Sequence, residues 1–392
     1  MRLLVVIPSF YGSSGEAVNE RQLTVALAKK VEAVYVLTLV GPKEYACGHE
    51  SLPRNIKVLG LPFPRLPILK FILAIPYLAM ISILGLLLVK SGLVDAVYVR
   101  NSLFSLGLIG FKSLAKVMLV KIPAIAEEEF RNGLIKTFLK LIFEASDRLV
   151  IKRAGRIAVA SRQFAEELAR IRGIRPLKNP IVLSAGINNA IFRAIRQDIG
   201  RNAEKRKKNV IGFIGTLAWW QGIDILVKAI SKLKDRYSRL MLYIIGDGEM
   251  RRRIEDLCKA EGVSYVITGF LPHLEALKKM TILDVLAVPS RRNPATEFNI
   301  PIKILEAWAI GIPVIATDHP VFREMFTDGE DLLLCKPDPD DLASKIKLLL
   351  DDPKLRHKLS RRGPFLAEKF DYDILATRVL NALKELSKGE RV

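Results

Sequence analysis

The residues best suited to chemistry cluster in one stretch, Pro289 to Asp318, which reads PSRRNPATEFNIPIKILEAWAIGIPVIATD. Lys303 is a compact cation on a flexible stem, able to reach a diphosphate. Glu306 is an acceptor-only carboxylate, suited to a diol such as a ribose. Glu297 adds a second carboxylate a few residues upstream. The same residues also suit an ordinary helix start, where Glu complements the dipole and Lys is solvated, and residue types alone leave both readings open. Glu127-Glu128-Glu129 is a further acidic cluster, readable equally as a solvated loop face. Asp338-Pro-Asp340 and Asp371-Tyr-Asp373 have D-x-D spacing. Each adjoins a predicted helix start, so capping is expected of both and no metal site is assigned. The chain has no Ser/His/Asp set, no zinc spacing and no Walker loop.

The elements around that stretch decide where its side chains sit. Leu286 to Ser290 reads as the end of a buried strand, followed by a loop with Pro294 and Pro301. Ile302 to Ile310 has helical spacing, Gly311 stops it, and Val314 to Thr317 is a β-branched strand. Lys303 and Glu306 therefore fall in the first turns of a helix that opens at a strand's C-terminal end. Ligands sit there in doubly wound sheets, and unpaired N–H groups favour anions.

The remaining chain repeats this grammar. Leu3 to Ser9 is an apolar strand feeding a loop with Gly12 and Gly15, then a helix with Leu23, Ala26 and Leu27 on one face. Further strands are expected at 34–39, 56–61, 95–100, 156–161, 210–214, 241–245, 266–270 and 283–289. Alternation of strand and helix throughout predicts an α/β protein with parallel sheets. At 392 residues there is room for two domains. They are expected at 1–195, completed by a returning helix at 373–392, and at 209–370, with the charged segment 193–208 as linker. Trp219 and Trp220 are either core or a hydrophobic lip, with core the expectation.

The bulk composition is globular, with half the residues hydrophobic and a quarter charged. Cys47, Cys258 and Cys335 lack metal or redox spacing, which points to a reducing compartment. Met1 to Pro8 is too short a run for a signal peptide. The Lys, Arg, Ile, Leu and Val enrichment hints at a thermophile. The net charge of +20 is uneven: residues 1–208 carry 33 Lys and Arg against 15 Asp and Glu, a net +18, and residues 209–392 carry 28 against 26. An anionic surface or ligand should face the N-terminal half. Phe71 to Val89 is uncharged, with Arg65, Lys70 and Lys90 at its edges. Its length fits a span, but a crossing there would separate the first strands from their sheet, leaving a buried helix or a helix lying on a membrane.

The order Pro301, Lys303, Glu306, Ala307, Ala309, Gly311, Pro313, Val314, Ala316, Thr317 resembles the donor-binding signature of the retaining, nucleotide-sugar-dependent glycosyltransferases of family four. Asp328-Gly-Glu-Asp-Leu-Leu-Leu334, Ile181 to Phe192, and Gly215 to Leu226 resemble neighbouring family patterns, so the likeness spans nearly the whole chain. It implies the GT-B fold: two facing Rossmann-like doubly wound domains with an interdomain cleft, the donor on the C-terminal one. It implies donor contacts from Gly15, Gly215, Thr216, Gln221, Gly246, Thr268, Gly269, Ile300, Pro301, Lys303 and Glu306, and catalytic roles for Glu297, Lys303 and Glu129. The family's first Glu of the signature falls at Phe298 here, with Glu297 adjacent. Its diphosphate-holding Arg and Lys fall at Thr216 and Gln221, and its His near residue 129 has no counterpart. Leu332 stands where its second Gly would be.

The expectation is a retaining, metal-independent hexose transfer from a UDP- or GDP-sugar to a hydroxyl acceptor, with no bound cofactor. The acceptor is expected to be lipid-linked, and the enzyme cytoplasmic and peripheral on an anionic membrane face. Two other readings stand beside it. One is a sugar-nucleotide epimerase on the same fold. The other is a basic nucleic-acid binder, against which the absence of interleaved stacking aromatics counts.

Overall fold

The computed structural model describes residues 1–12, 15–40, 52–62, 67–125, 134–201 and 209–389. Two compact units share them: Met1–Gly186 with Tyr372–Val392, and Ile187–Asp371.

In the first unit the strands are β1 (Arg2–Ser9), β2 (Ala33–Val40), β3 (Ile56–Pro62), β4 (Ala96–Arg100), β5 (Met118–Ile122), β6 (Arg156–Val159) and β7 (Ile181–Val182). All pair in parallel in the order β3-β2-β1-β4-β5-β6-β7. The helices between them are α1 (Gly15–Ala28), α2 (Pro67–Lys90), α3 (Ser102–Ile109), α4 (Lys112–Lys116), α5 (Leu134–Arg153) and α6 (Arg162–Arg172). β1, β4 and β5 are buried, mainly apolar runs, as strands covered on both faces are, with the cations Arg100 and Lys121 near the carboxyl ends of β4 and β5.

The second unit begins with α7 (Asn189–Arg201) and has strands β8 (Asn209–Ile214), β9 (Leu240–Ile245), β10 (Tyr265–Ile267), β11 (Val285–Val288), β12 (Val314–Thr317) and β13 (Leu333–Cys335). Their order is β10-β9-β8-β11-β12-β13, again all parallel. The intervening helices are α8 (Ile223–Ser231), α9 (Arg251–Ala260), α10 (His273–Met280), α11 (Pro294–Glu297), α12 (Ile302–Ile310) and α13 (Pro320–Met325), and α14 (Pro339–Asp351) and α15 (Pro353–Glu368) follow β13. The last helix, α16 (Tyr372–Ser387), packs in the first unit, where the Tyr372 hydroxyl donates to Asn19 Oδ1 at 3.2 Å and Arg156 pairs with Glu385. Both sheets are therefore doubly wound. In the second, strand order reverses between β8 and β11, so ligands are expected at the carboxyl ends of those two strands.

Four expectations need correction. The division falls at Gly186, ahead of 195, and the expected linker begins as helix: α7 buries Phe192 and Ile195, exposes Arg193, and ties Arg196 to the Ala309 carbonyl at 2.6 Å. Residues 202–208 lie outside the described residues. Trp219 is 48% exposed and Trp220 also faces solvent, packed edge-on against each other at 6.3 Å; they are a surface pair, and the core below them is Leu217 and Ile223. Of the two D-x-D pairs, Asp338 caps α14 by accepting from the N–H groups of Asp340 and Asp341, and Asp371 accepts from the backbone N–H and side-chain amide of Asn189 at the start of α7, a helix far away in sequence. The loop between β11 and α12 contains α11, whose Thr296 N–H is capped by Asn293 Oδ1.

Candidate functional site

At the end of β8 the chain must turn sharply and pass close to its neighbours. Gly215 has φ +130°, and a side chain there would lie 2.8 Å from the Lys303 ammonium. Gly246, ending β9 with φ +144°, abuts the Gly215 carbonyl and bridges to Gly269 after β10. Glycine alone meets these positive dihedrals without strain. The three turns thereby stack at one edge of the sheet.

After Gly215, a short 3-10 turn at Trp219–Gln221 leads into α8. Arg291, from the loop after β11, holds that turn: its guanidinium grips Asp224 through two bonds of 2.9 and 2.6 Å and donates to the Trp219 carbonyl. This bidentate clamp fixes Gln221, which accepts from Lys303 Nζ at 3.0 Å. Lys303 is buried, with its ammonium 4.2 Å above the centroid of the Phe213 ring. Burial pushes the ammonium down to about 7, against the opposing pull of Glu306. A cation poised near neutrality at a helix start is suited to receive an anionic ligand, whose charge would restore its proton.

Glu306 lies one turn on along α12 and is also buried. His273, the first residue of α10, reaches it with Nε2 at 2.6 Å from Oε1. One carboxylate oxygen is thus committed to His273, and the other remains an acceptor for a ligand hydroxyl. The N-cap of α12 is Pro301, in extended conformation and without a side-chain cap; the Ile304 N–H turns back to the Pro301 carbonyl, and the N–H groups of Ile302 and Lys303 lead the helix. Ile300 is buried beneath it.

A second buried pair closes the carboxyl end of β11 and β12. Ser290 Oγ lies 2.9 Å from His319 Nε2, and burial together with Arg292 lowers His319 to about 4, so the ring is neutral. Its Nδ1 has no partner among the described residues.

Of the expected donor residues, the structure brings together Gly215, Gln221 and Lys303, with Glu306 on the same helix, and stacks Gly246 on Gly215 and Gly269. Thr268 turns its hydroxyl to the Gly269 carbonyl. Thr216 is exposed on the turn after Gly215. Glu297 ends α11, half-buried, with no side-chain partner among the described residues. Gly15 begins α1 in the other unit, and Glu129 falls outside the described residues, as do Glu127 and Glu128. Among the described residues no cluster of three or more His, Cys, Asp or Glu could hold a metal ion.

Sequence reasoning missed His273, His319 and the Arg291–Asp224 clamp. A signal existed, because the chain has only four His and two of them follow strands of the second sheet. In the first unit it missed Glu20. This buried carboxylate on α1 joins Arg100 at 2.7 Å, Lys121 at 3.0 Å and the Tyr98 hydroxyl at 3.0 Å. Arg100 also pairs with Glu16, so the end of β4 is tied to α1.

Residues 194–364 match the model of the glycosyl transferases group 1 family. A relative from Campylobacter jejuni, N,N'-diacetylbacillosaminyl-diphospho-undecaprenol alpha-1,3-N-acetylgalactosaminyltransferase, is 23% identical over 67% of this chain and 68% of its own. Against three other curated relatives, the match spans 47 to 63% of the relative's length. Among solved structures, sucrose-phosphate synthase from Thermosynechococcus elongatus superposes with a TM-score of 0.78 at 18% identity, covering 99% of both chains. Anabaena Alr3699/HepE, solved in complex with UDP, superposes with a TM-score of 0.71 at 16% identity over 98% of this chain and 100% of its own. The chain has the GT-B fold, and the domain at 194–364 that carries Lys303 and Glu306 belongs to the group 1 glycosyltransferases.

Proposed function

We propose that this protein is a retaining, metal-independent glycosyltransferase that moves a hexose from a nucleotide-sugar donor to a hydroxyl acceptor. The observation that carries the reading is the Lys303 ammonium, held by Gln221 at the strand-order reversal and at the start of an uncapped helix. A departing nucleoside diphosphate develops charge as its bond to the anomeric carbon breaks. Lys303 and the first N–H groups of α12 meet that charge from a preorganised, buried position. The diphosphate oxygen then takes the proton of the incoming hydroxyl on the same face of the sugar. The new glycosidic bond forms there, and retention follows without a protein nucleophile. Lys303 supplies the positive charge that an ion would otherwise bring, so activity should persist in excess EDTA.

Glu306, steadied by His273, would accept from the ribose hydroxyls, and Glu297 would orient the transferred sugar. The UDP complex of the Anabaena neighbour supports uridine over guanosine as the donor's base. The name of the Campylobacter relative supports a lipid-diphosphate-linked acceptor, met at the cytoplasmic membrane face.

The test is a panel of UDP- and GDP-sugars scored for thermal protection, slow hydrolysis and free epimer. One nucleotide should protect and be hydrolysed with retention, and Lys303→Ala should lose both responses while keeping its fold. Protection by no donor, or release of an epimer without acceptor, would overturn the reading.

A further inference from the structure

A cavity opens in the first unit, at the amino ends of strands of the first sheet. It measures about 880 Å³ and opens where β5 and β6 begin, bounded by the C-terminal ends of α5 and α16 and by the segment after α6. Seven of its lining residues are cationic, Lys116, Arg148, Lys152, Arg153, Arg156, Arg175 and Lys178, and no lining residue is acidic. Arg156 is paired with Glu385, and Arg148 donates to the Arg172 carbonyl. The other five have no ion-pair partner among the described residues. Gly155 forms part of the wall, where an added Cβ would strike the Lys116 carbonyl.

Helix C-termini attract cations, and this end of a parallel sheet gathers several of them. Magnitude separates that explanation from a ligand site. Each helix end presents about half a negative charge, so three present about −1.5. Five unpaired cations exceed this severalfold, and they surround a concavity instead of dispersing over a convex face. Like charges gathered around a cavity repel unless something anionic enters.

We propose that this pocket binds a phosphate-bearing anion, of the size of a diphosphate or a phosphorylated head group. Arg153 and Arg175 offer planar donor forks for phosphate oxygens, and Lys116, Lys152 and Lys178 offer mobile point charges. The apolar lining, Ile151, Ile174, Leu177 and Leu386, gives such a molecule an uncharged portion to rest against. A nucleic-acid backbone fits less well, because no aromatic residue lines the pocket for base stacking.

The test compares the full chain with a Lys152→Gln/Arg153→Gln/Lys178→Gln variant, using inorganic pyrophosphate and vesicles of phosphatidylglycerol or phosphatidylcholine. Lys303 is untouched, so donor hydrolysis should be equal in the two proteins. In low salt the variant should melt at a higher temperature than the wild type, since repulsion is relieved. If the source is a free phosphate compound, pyrophosphate raises the melting temperature of the wild type and binds it at least tenfold more tightly than the variant. If the source is a lipid head group, phosphatidylglycerol vesicles retain the wild type more strongly than the variant, and phosphatidylcholine vesicles distinguish neither. Equal responses of the two proteins to both probes would overturn the proposal. So would binding of a duplex oligonucleotide with no response to either phosphate source.

Discussion

Lys303 Nζ sits 3.0 Å from Gln221 Oε1, so a neutral amide is the acceptor that holds the buried cation. The pair joins two segments far apart in the chain, the turn after β8 and the first turn of α12. A side chain at Gly215 would be strained by the φ of +130° and would also push the ammonium aside.

This geometry makes donor binding dependent on pH. Burial lowers Lys303 to about 7, so above neutrality the free protein loses the charge that a diphosphate needs. A bound diphosphate draws the proton back. Donor affinity should fall as pH rises from about 7 to 9, and binding in that window should take up a proton. Calorimetry at pH 8 in two buffers of different ionisation enthalpy checks it; equal heats would separate Lys303 from the diphosphate.

The same shift predicts a stability effect of defined sign. The folded value lies below the ordinary 10.5, so between about 7 and 10.5 the unfolded chain holds a proton that the folded chain lacks. Stability from this group therefore rises with pH across that window, by up to about 1.4 kcal/mol per unit, and the burial penalty is full below pH 7. Lys303→Met should be more stable than the wild type at pH 6, with the advantage shrinking by pH 10. Urea denaturation at both pH values measures it.

Glu306 should matter to donor binding more than to folding. Replacing it with Gln keeps the shape but weakens its bonds, at a cost of roughly 1.5–3 kcal/mol in donor affinity. His273→Ala frees the carboxylate to move and should cost less. Titration with the protecting nucleotide decides this: an unchanged affinity for Glu306→Gln would remove it from the donor site.

How much of this was legible follows from the range of the interactions. The strand at 314–317 and the helix at 302–310 were readable because apolar spacing, Gly311 and Pro313 are local signals. α7 was hidden because its buried face is only a few residues wide within a charged segment. His273 and Glu306 stand 33 residues apart and meet because β10 and β11 flank β9 and β8, an order that periodicity does not encode. Trp219 and Trp220 misled because bulk suggests burial, whereas the turn that carries them must cross the sheet's open end.

Glu20 supports a prediction about acid. Burial alone would raise this carboxylate, but Lys121 and Arg100 pull it down to about 2. With the folded value below the ordinary 4.5, its contribution is present above about pH 4.5 and is lost as pH falls toward 2. Glu20→Gln leaves the buried Lys121 uncompensated and Arg100 with Glu16 alone, and should cost about 3–5 kcal/mol at pH 7. Denaturation of the variant should lose most of the wild-type pH dependence between 4.5 and 2. Full retention would place the acid sensitivity elsewhere.

The last prediction concerns a surface. On α2, Met80, Ile83 and Leu87 recur at i, i+3 and i+7, so they share one face, and Ile83 and Leu87 are 59% and 58% exposed. Among the described residues no helix is long and apolar enough to cross a membrane, so a stripe of this kind would lie along one. Burying a large aliphatic side chain fully is worth about 1.5–3 kcal/mol, and two half-exposed ones together would contribute about that much. Each Lys or Arg near an anionic surface adds about 1 kcal/mol, fading within a Debye length. The net +18 of residues 1–208 supplies many such charges. The protein should therefore sediment with phosphatidylglycerol vesicles at low salt and be released by high salt. Ile83→Asp/Leu87→Asp should weaken that association more than tenfold while leaving the melting temperature and donor hydrolysis unchanged. A variant that sediments like the wild type would show that α2 stays away from lipid, and the acceptor would then be sought among soluble hydroxyl compounds.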